Sequence, residues 1–459
     1  MPELAPVLAA LDEGTDAALE RLFALMRFPS ISADPAHDAD CRAAADWLAA
    51  ELAGIGLEAR VIATEGQPIV RAEGGEGGPH VLFYGHYDVQ PVDPVELWER
   101  DPFDPAVETG PDGARRIVGR GASDDKGQLM TFVEALRAFR AAHGRLPCRI
   151  TVLLEGEEES AGDSLERYLE AEGAAIGADI AAVCDTGMWD RETPAITTML
   201  RGILTTEVTV RGPARDLHSG FYGGAAANPI HVLTQALAGL RDGRGRITLP
   251  GFYEGVPELD AAVRAQWEAL GFDPGAFLGG VGLSTPAGEA GRSALEQIWS
   301  RPTAEVNGIR GGYAGAGFKT VIPAEAAAKV SFRLVGDQDP ERVLATFREA
   351  MAAAMPPDCR AEVTAYGAAR AISMPVDATA FAAARAALTE EWGREAAFIG
   401  CGGSIPVVGA FRRVLGLDTL LVGFALEDDR VHSPNEKYDL RSFTRGCRSW
   451  ARILGALAG

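Results

Sequence analysis

At 459 residues the chain exceeds the length at which a single hydrophobic core stops growing, so more than one domain is expected. Its 47% hydrophobic residues and mean hydropathy of +0.01 suit a soluble globular protein with a full core. A net charge of -22 would be repelled by nucleic acid and by anionic membrane surfaces, which argues against both as partners.

Leu19, Leu22, Phe23 and Met26 recur at helical spacing, and Pro29 predicts the end of that helix before Ser30-Ile31-Ser32. A second helix is expected around Cys41 to Leu52, then a strand over Leu57 to Ile62. Val81-Leu82-Phe83-Tyr84-Gly85-His86-Tyr87-Asp88 is a short apolar run that stops on a histidine and an aspartate, the pattern of a buried parallel strand. Residues just past the carboxyl end of such a strand line the crevice where open α/β sheets place ligands, which puts His86 and Asp88 there. A core histidine bonded to a loop carboxylate reads equally well from this stretch alone. The loop Pro91 to Gly119 is too irregular for a core element and too apolar for a free linker, and is expected to fold over the site.

Gly119-Arg120-Gly121-Ala122-Ser123-Asp124-Asp125-Lys126-Gly127 precedes a helix marked by Leu129, Phe132, Val133, Leu136 and Phe139. Capping accounts for one of the two aspartates. The second, flanked by glycines that allow close backbone approach, is free to face a cation. The strand Arg149 to Leu154 ends in Glu155-Gly156-Glu157-Glu158-Glu159, which alone reads as a solvated acidic loop; the strand Ile180 to Cys184 ends in Asp185; and Thr419 to Phe424 is soon followed by His432. Histidines and carboxylates beyond four strands converge on one crevice. Two histidines, several carboxylates and no cysteine form a ligand set for zinc or a similar divalent ion, and a further glutamate suits a general base for a metal-bound water. The residues alone therefore point to a metal-assisted hydrolase.

Between these strands the chain changes character. Leu204 to Val210 alternates like a half-exposed antiparallel strand, a helix follows Asn228-Pro229, and a Gly- and Pro-rich insertion runs from Arg241 to Pro302. A strand over Lys329 to Val335, a helix capped at Asp337-Gln338-Asp339-Pro340 and a strand over Ala361 to Tyr366 complete a small α+β domain inserted into the larger one. Six cysteines without paired spacing read as ordinary thiols of a reducing compartment. The opening Met1-Pro2-Glu3-Leu4 lacks a basic start and an apolar core, and no run is long enough to span a membrane, so a cytoplasmic location is expected.

Five motifs stand in order along nearly the whole chain: Gly85-His86-Tyr87-Asp88-Val89-Gln90-Pro91, Gly119 through Gly127, Glu155 through Ser160, Arg215-Asp216-Leu217-His218-Ser219-Gly220, and Val431-His432-Ser433-Pro434-Asn435-Glu436. In them the chain resembles the di-zinc exopeptidases that include glutamate carboxypeptidase, aminoacylase, succinyl-diaminopimelate desuccinylase and the carnosinase-like dipeptidases. The details Val89-Gln90-Pro91, Asp216 to Gly220 and Gly402-Gly403-Ser404-Ile405-Pro406 look most like the dipeptidase branch.

The resemblance implies an α/β fold: a mixed-sheet di-metal catalytic domain over 1–200 and 369–459, with an inserted α+β lid and dimerisation domain over 201–368. It implies that Asp124 bridges two divalent ions, zinc or else manganese, with His86 and Asp185 on one and Glu159 and His432 on the other. Glu158 is then the general base, and Asp88 orients His86. His218 stabilises the oxyanion from the inserted domain, in the site of a partner in a homodimer, and Arg333, Ser404 and Thr320 hold the substrate's terminal carboxylate. A cis peptide between Asp124 and Asp125 is implied too. The expected activity is hydrolysis of dipeptides or small peptides; an aminoacylase with the same machinery and a non-catalytic binder of small carboxylated ligands are the alternatives.

Overall fold

A computed structural model describes residues 3–160, 162–403 and 405–459. The larger strands are, in chain order, β1 (Glu58–Ile62), β2 (Ile69–Gly74), β3 (His80–His86), β4 (Arg149–Glu155), β5 (Ile180–Val183), β6 (Ala195–Leu200), β7 (Gly202–Arg211), β8 (Thr303–Gly311), β9 (Glu325–Leu334), β10 (Arg360–Ala369) and β11 (Thr419–Leu421). By packing, the chain divides into two compact units, one of 1–198, 374–399 and 410–459 and the other of 199–373 and 400–409. The segment 400–409 thus packs with 199–373, whereas the sequence reading places it in 369–459.

The first unit is a mixed sheet ordered β1-β2-β4-β3-β5-β11-β6. β4, β3, β5 and β11 are mutually parallel, and antiparallel strands flank them. The near-continuous apolar run of β3 is explained by cover on both faces: all but its first residue are buried. Against it lies the helix Lys126–His143, whose Phe132 stacks on Phe83 with ring centroids 3.7 Å apart. Trp450, from the helix Leu440–Leu457, meets both rings edge-on at 5.9 and 5.3 Å. Such aromatic contacts contribute about 0.5–1.5 kcal/mol beyond the burial of their area. They fix both helices against the sheet, the first of which begins directly after Asp124-Asp125.

Parallel register decides which residues reach the carboxyl edge together. His86 pairs with Glu155, and Tyr84 with Val183, so His86 and Asp185 leave the sheet at the same level. The loop Pro91 to Gly119 holds more regular structure than expected. Ala106–Thr109 and Arg115–Val118 form a hairpin that pairs onward with Lys437–Asp439. Its turn carries Asp112-Gly113, with Gly113 at φ 79, a hairpin signal that the surrounding irregular composition hid.

The second unit is an antiparallel sheet ordered β8-β9-β7-β10. β7 alternates buried and half-buried positions as its sequence predicts. Its inward residues Leu204, Val208 and Val210 share a core with Leu233 of the helix Pro229–Ala238 and Phe347 of the helix Pro340–Ala353. Both helices start as expected: Asn228 accepts from Ile230 N at 2.9 Å and Asp339 from Glu341 N at 3.1 Å, each followed by proline. The insertion Arg241 to Pro302 is more ordered than its composition suggests, with helices Ala261–Ala269 and Pro274–Gly279 capped by Asp260 and Asp273.

Candidate metal centre

β3 delivers His86 and, two residues on, Asp88; both are fully buried. One Asp88 oxygen accepts from Ser32 Oγ at 2.6 Å and from Glu159 N at 3.0 Å, and the other lies 3.3 Å from His86 Nδ1. Nδ1 also meets the Asp88 carbonyl at 3.2 Å. With acceptors alone around it, Nδ1 carries a proton, and Nε2 is turned to Asp124 Oδ1 at 3.0 Å and Asp185 Oδ2 at 3.9 Å. Burial disfavours the imidazolium, yet the hydrogen bonds to Asp124 and Asp88 outweigh it and hold His86 well above the ordinary histidine range.

Asp124 stands between the two histidines. Its Oδ1 faces His86 and its Oδ2 lies 3.0 Å from His432 Nε2. Burial would lift this carboxyl, but the hydrogen bonds from His432 and His86 hold it well below the usual range. The peptide joining Asp124 to Asp125 is cis. Neither aspartate caps the following helix, contrary to the sequence reading: no side-chain cap bond is made at Asp125, whose Oδ2 accepts instead from His86 N at 3.1 Å. The glycine argument holds. A Cβ on Gly127 would stand 1.9 Å from the Ala122 carbonyl, so only glycine lets the loop fold back on the helix start. Lys126 is wholly buried, donates to the carbonyls of Phe28 at 2.7 Å and Leu25 at 3.2 Å, and is pushed down to about 7 by burial.

The acidic run after β4 turns inward. Glu159 Oε2 accepts from Gln90 Nε2 at 2.7 Å and lies 3.2 Å from His432 Nε2, while Glu159 Oε1 is buried with no hydrogen-bond partner. Glu158 is raised above the ordinary glutamate range, by burial first and then by Glu159, Asp124 and Asp88 against the opposing pull of His86. Asp185 is raised well above its range, by burial and then by Asp124. His432 is lifted to about 10 by its hydrogen bonds to Asp124 and Glu159.

Two donor groups result, His86 with Asp124 and Asp185, and Asp124 with Glu159 and His432, the atoms of each within 4.8 Å of one another. So many carboxylates crowded into one crevice raise Asp185 and the two histidines alike, and divalent cations would relieve that crowding and engage the unpartnered Glu159 oxygen. The set is nitrogen and oxygen only, which suits zinc or manganese. Cys184, next to Asp185, takes no part: its sulfur accepts from Trp450 Nε1 at 3.2 Å within the core.

Sequence reasoning missed Ser32 and Gln90, whose bonds to Asp88 and Glu159 cross long stretches of chain. The second unit carries the other expected residues. His218, exposed, ends the short strand Leu217–His218 that pairs with Val321–Ile322, and its Nδ1 accepts from Gly220 N at 3.0 Å. Thr320 is exposed beside it, its carbonyl accepting from Ser219 N at 3.0 Å. Arg333 lies half-buried on β9, where its charge and, above all, burial push the neighbouring Arg201 down to about 10. Ser404 lies outside the described residues. All six cysteines are free thiols, and among the described residues no helix is long and apolar enough to cross a membrane.

The sequence pattern of Peptidase family M20/M25/M40 matches residues 82–456. The chain is 33% identical to the Cys-Gly metallodipeptidase DUG1 of Saccharomyces cerevisiae over 382 residues, 82% of this chain and 78% of that protein. It is 30% identical to the human Beta-Ala-His dipeptidase over 398 residues, 85% of this chain and 78% of that one. Among solved structures, the M20 family metallo-carboxypeptidase Sso-CP2 of Sulfolobus solfataricus superposes with a TM-score of 0.81 at 29% identity, over 96% of this chain and 99% of that one.

Proposed function

Because the chain belongs to peptidase family M20/M25/M40 and is a metallopeptidase, we propose that it hydrolyses dipeptides or similarly small peptides with two divalent ions, zinc or manganese, bound per chain. The observation that carries this reading is the pair of donor groups sharing Asp124. In it, His86 and Asp185 would hold one ion and Glu159 and His432 the other, with Asp124 shared between the two groups. The bound ions supply Lewis acidity, which polarises the scissile carbonyl and acidifies the attacking water.

The chain's own residues do the rest. Glu158, its carboxyl lifted by burial towards the working pH range, takes the proton from the attacking water and returns it to the leaving amine. Asp88 fixes the His86 tautomer and, through Glu159 N, the end of the acidic run. His218 donates to the developing oxyanion in the site of a second copy, and Arg333, Thr320 and Ser404 receive the substrate carboxylate. Support for a homodimer comes from the second unit's sheet, whose edge strand β8 leaves Val306 and Ile309 exposed. The thiol state of the cysteines fits a cytoplasmic setting.

A panel of dipeptides and N-acyl amino acids, assayed as ion-free protein is reloaded with zinc or manganese, tests the reading. Dipeptide hydrolysis that rises to a plateau at two ions per chain is expected. Turnover of the acyl amino acids alone reassigns the substrate class, and no turnover at all leaves a binding protein.

A further inference from the structure

Asp124 and His432 meet at 3.0 Å although neither lies at a strand end. His432 sits in a segment with three left-handed residues, Arg430 at φ 57, His432 at φ 61 and Asn435 at φ 62, the only non-glycine residues with positive φ among those described. Such a conformation is disfavoured for a residue with a side chain and persists where its surroundings compel it. The segment 429–436 is therefore held in place by something other than its own preferences.

What holds it is the Asp124 loop. Glu436 is fully buried, and its carboxylate takes four hydrogen bonds: Oε2 from Gly121 N at 3.0 Å and Arg120 Nη1 at 2.9 Å, Oε1 from Ser123 N at 2.9 Å and Asp124 N at 3.0 Å. Three amides of one turn converge on a single anion, an arrangement Gly121 permits with φ +79. At the other end of the segment, Asp429 Oδ2 accepts from Ser123 Oγ at 2.9 Å. Asp429 and Glu436 thus embrace Ser123-Asp124 from both sides of His432. Arg120, also buried, seats Glu436 and ties in the loop before it, donating to the Pro91 carbonyl at 2.9 Å with Trp98 5.3 Å away beneath its guanidinium. Both Glu436 oxygens are used by protein donors, so this carboxylate is no ligand.

We propose that Glu436, seated by Arg120, is a positioning residue that sets the spacing of Asp124 and His432 and thereby the affinity of the Asp124, Glu159 and His432 group for its ion. The inference rests on the two-ion reading above. Its selectivity comes from a second tie: Asp124 is separately registered on His86 by the bond from His86 N to Asp125 Oδ2. Loosening Glu436 leaves the His86 group in place.

The test titrates ion-free protein with zinc against a chromophoric chelator, comparing wild type with Glu436→Gln, whose amide turns a donor towards the converging N–H groups. One of the two ions is expected to weaken by about 10–100-fold, the usual effect of losing a partner behind a ligand, while the other holds and the ion-free melting curve stays cooperative. Glu436→Asp, which keeps the acceptors, recovers part of the loss. Unchanged affinity for both ions, or equal weakening of both, overturns the proposal. Wild type that takes up no zinc overturns the two-ion reading itself, a separate outcome. If Glu436→Gln fails to fold, Arg120→Lys decides: selective weakening of one ion supports the proposal, and none or unselective weakening overturns it.

Discussion

The two units treat their candidate residues in opposite ways. In the first, five of them form a closed set: His86 meets Asp88 and Asp124, Asp124 meets His432, His432 meets Glu159, and Glu159 returns through its amide to Asp88, with Asp185 3.9 Å from His86. In the second, His218 and Thr320 are exposed, and their bonds are a turn contact from Gly220 N to His218 Nδ1 and a strand-pairing bond from Ser219 N to the Thr320 carbonyl. A closed hydrogen-bonded set is pre-organised and needs only ions to complete it, whereas exposed residues acquire their partners when substrate or another copy arrives. Ion content and turnover should therefore separate cleanly by unit.

The sharpest attempt to break that separation is Glu158→Gln. Glu158 belongs to the first unit but to neither donor group, so turnover should fall by about 10²–10⁴-fold, the usual contribution of a general base, with both ions retained. Metal analysis showing an ion lost with this variant, and kept with Glu159→Gln, would exchange the two roles. In the second unit, His218→Ala should lower kcat by about 10²–10³-fold, as for a missing oxyanion donor, at unchanged ion content and melting temperature. An ion lost with His218 would erase the contrast between the units.

Protonation gives a smaller, graded readout confined to the first unit. His432 is raised from 6.5 to about 10 in the ion-free protein, so the stability it contributes is fully present below pH 6.5 and is lost as pH rises through 10. An ion must displace that proton, so zinc affinity should climb by about tenfold per pH unit for each proton released, levelling off near pH 10. Lys126, lowered from 10.5 to about 7, acts with opposite sign on stability over much of the same window. The decisive quantity is thus the difference between wild type and His432→Gln in ion-free melting across pH 6.5 to 10, which should shrink as pH rises; a constant difference contradicts the assignment.

How much of this was legible in the sequence follows the same division. β3, β4 and β5 announce themselves as short apolar runs, and because they are parallel and in register, the polar residues that end them had to meet at one edge; His86, Asp185 and the acidic run could be gathered on that ground alone. Asp124 and His432 lie on loops whose approach depends on bonds across some 300 residues, from Arg120, Gly121, Ser123 and Asp124 to Glu436; the strand ends point His432 and one of the two aspartates at the crevice, but their pairing as ligands of one ion rests on the motif resemblance. In the sequence Ser32 only follows a helix that ends at Pro29, and Glu436 is only the tail of a motif, since a hydrogen bond to a distant carboxylate leaves no periodic trace. The Pro91 to Gly119 loop was misjudged for a different reason: a strand pair of four residues a side is too short for alternation to stand out. Arg333 and Thr320 were named by resemblance, and nothing in the spacing of either distinguishes it from a surface residue.

The smallest expected effect tests whether the second unit's exposed histidine works in another copy. Glu158→Gln disables the proton-transfer residue of its own chain, and His218→Ala removes the imidazole that the reading sends to a partner, so each homodimer should be nearly inactive. When the two are mixed under conditions that exchange subunits, random pairing makes half the dimers mixed. In a mixed dimer, the His218→Ala chain keeps its own Glu158 and receives His218 from the Glu158→Gln chain, which completes one site of the two. About a quarter of wild-type activity should return, a fourfold deficit against the hundredfold deficit of either parent. Mass spectrometry of differently labelled chains establishes that exchange has occurred. With exchange established and no activity regained, His218 serves its own chain, and the two units would no longer differ in whether their chemistry is complete within one copy.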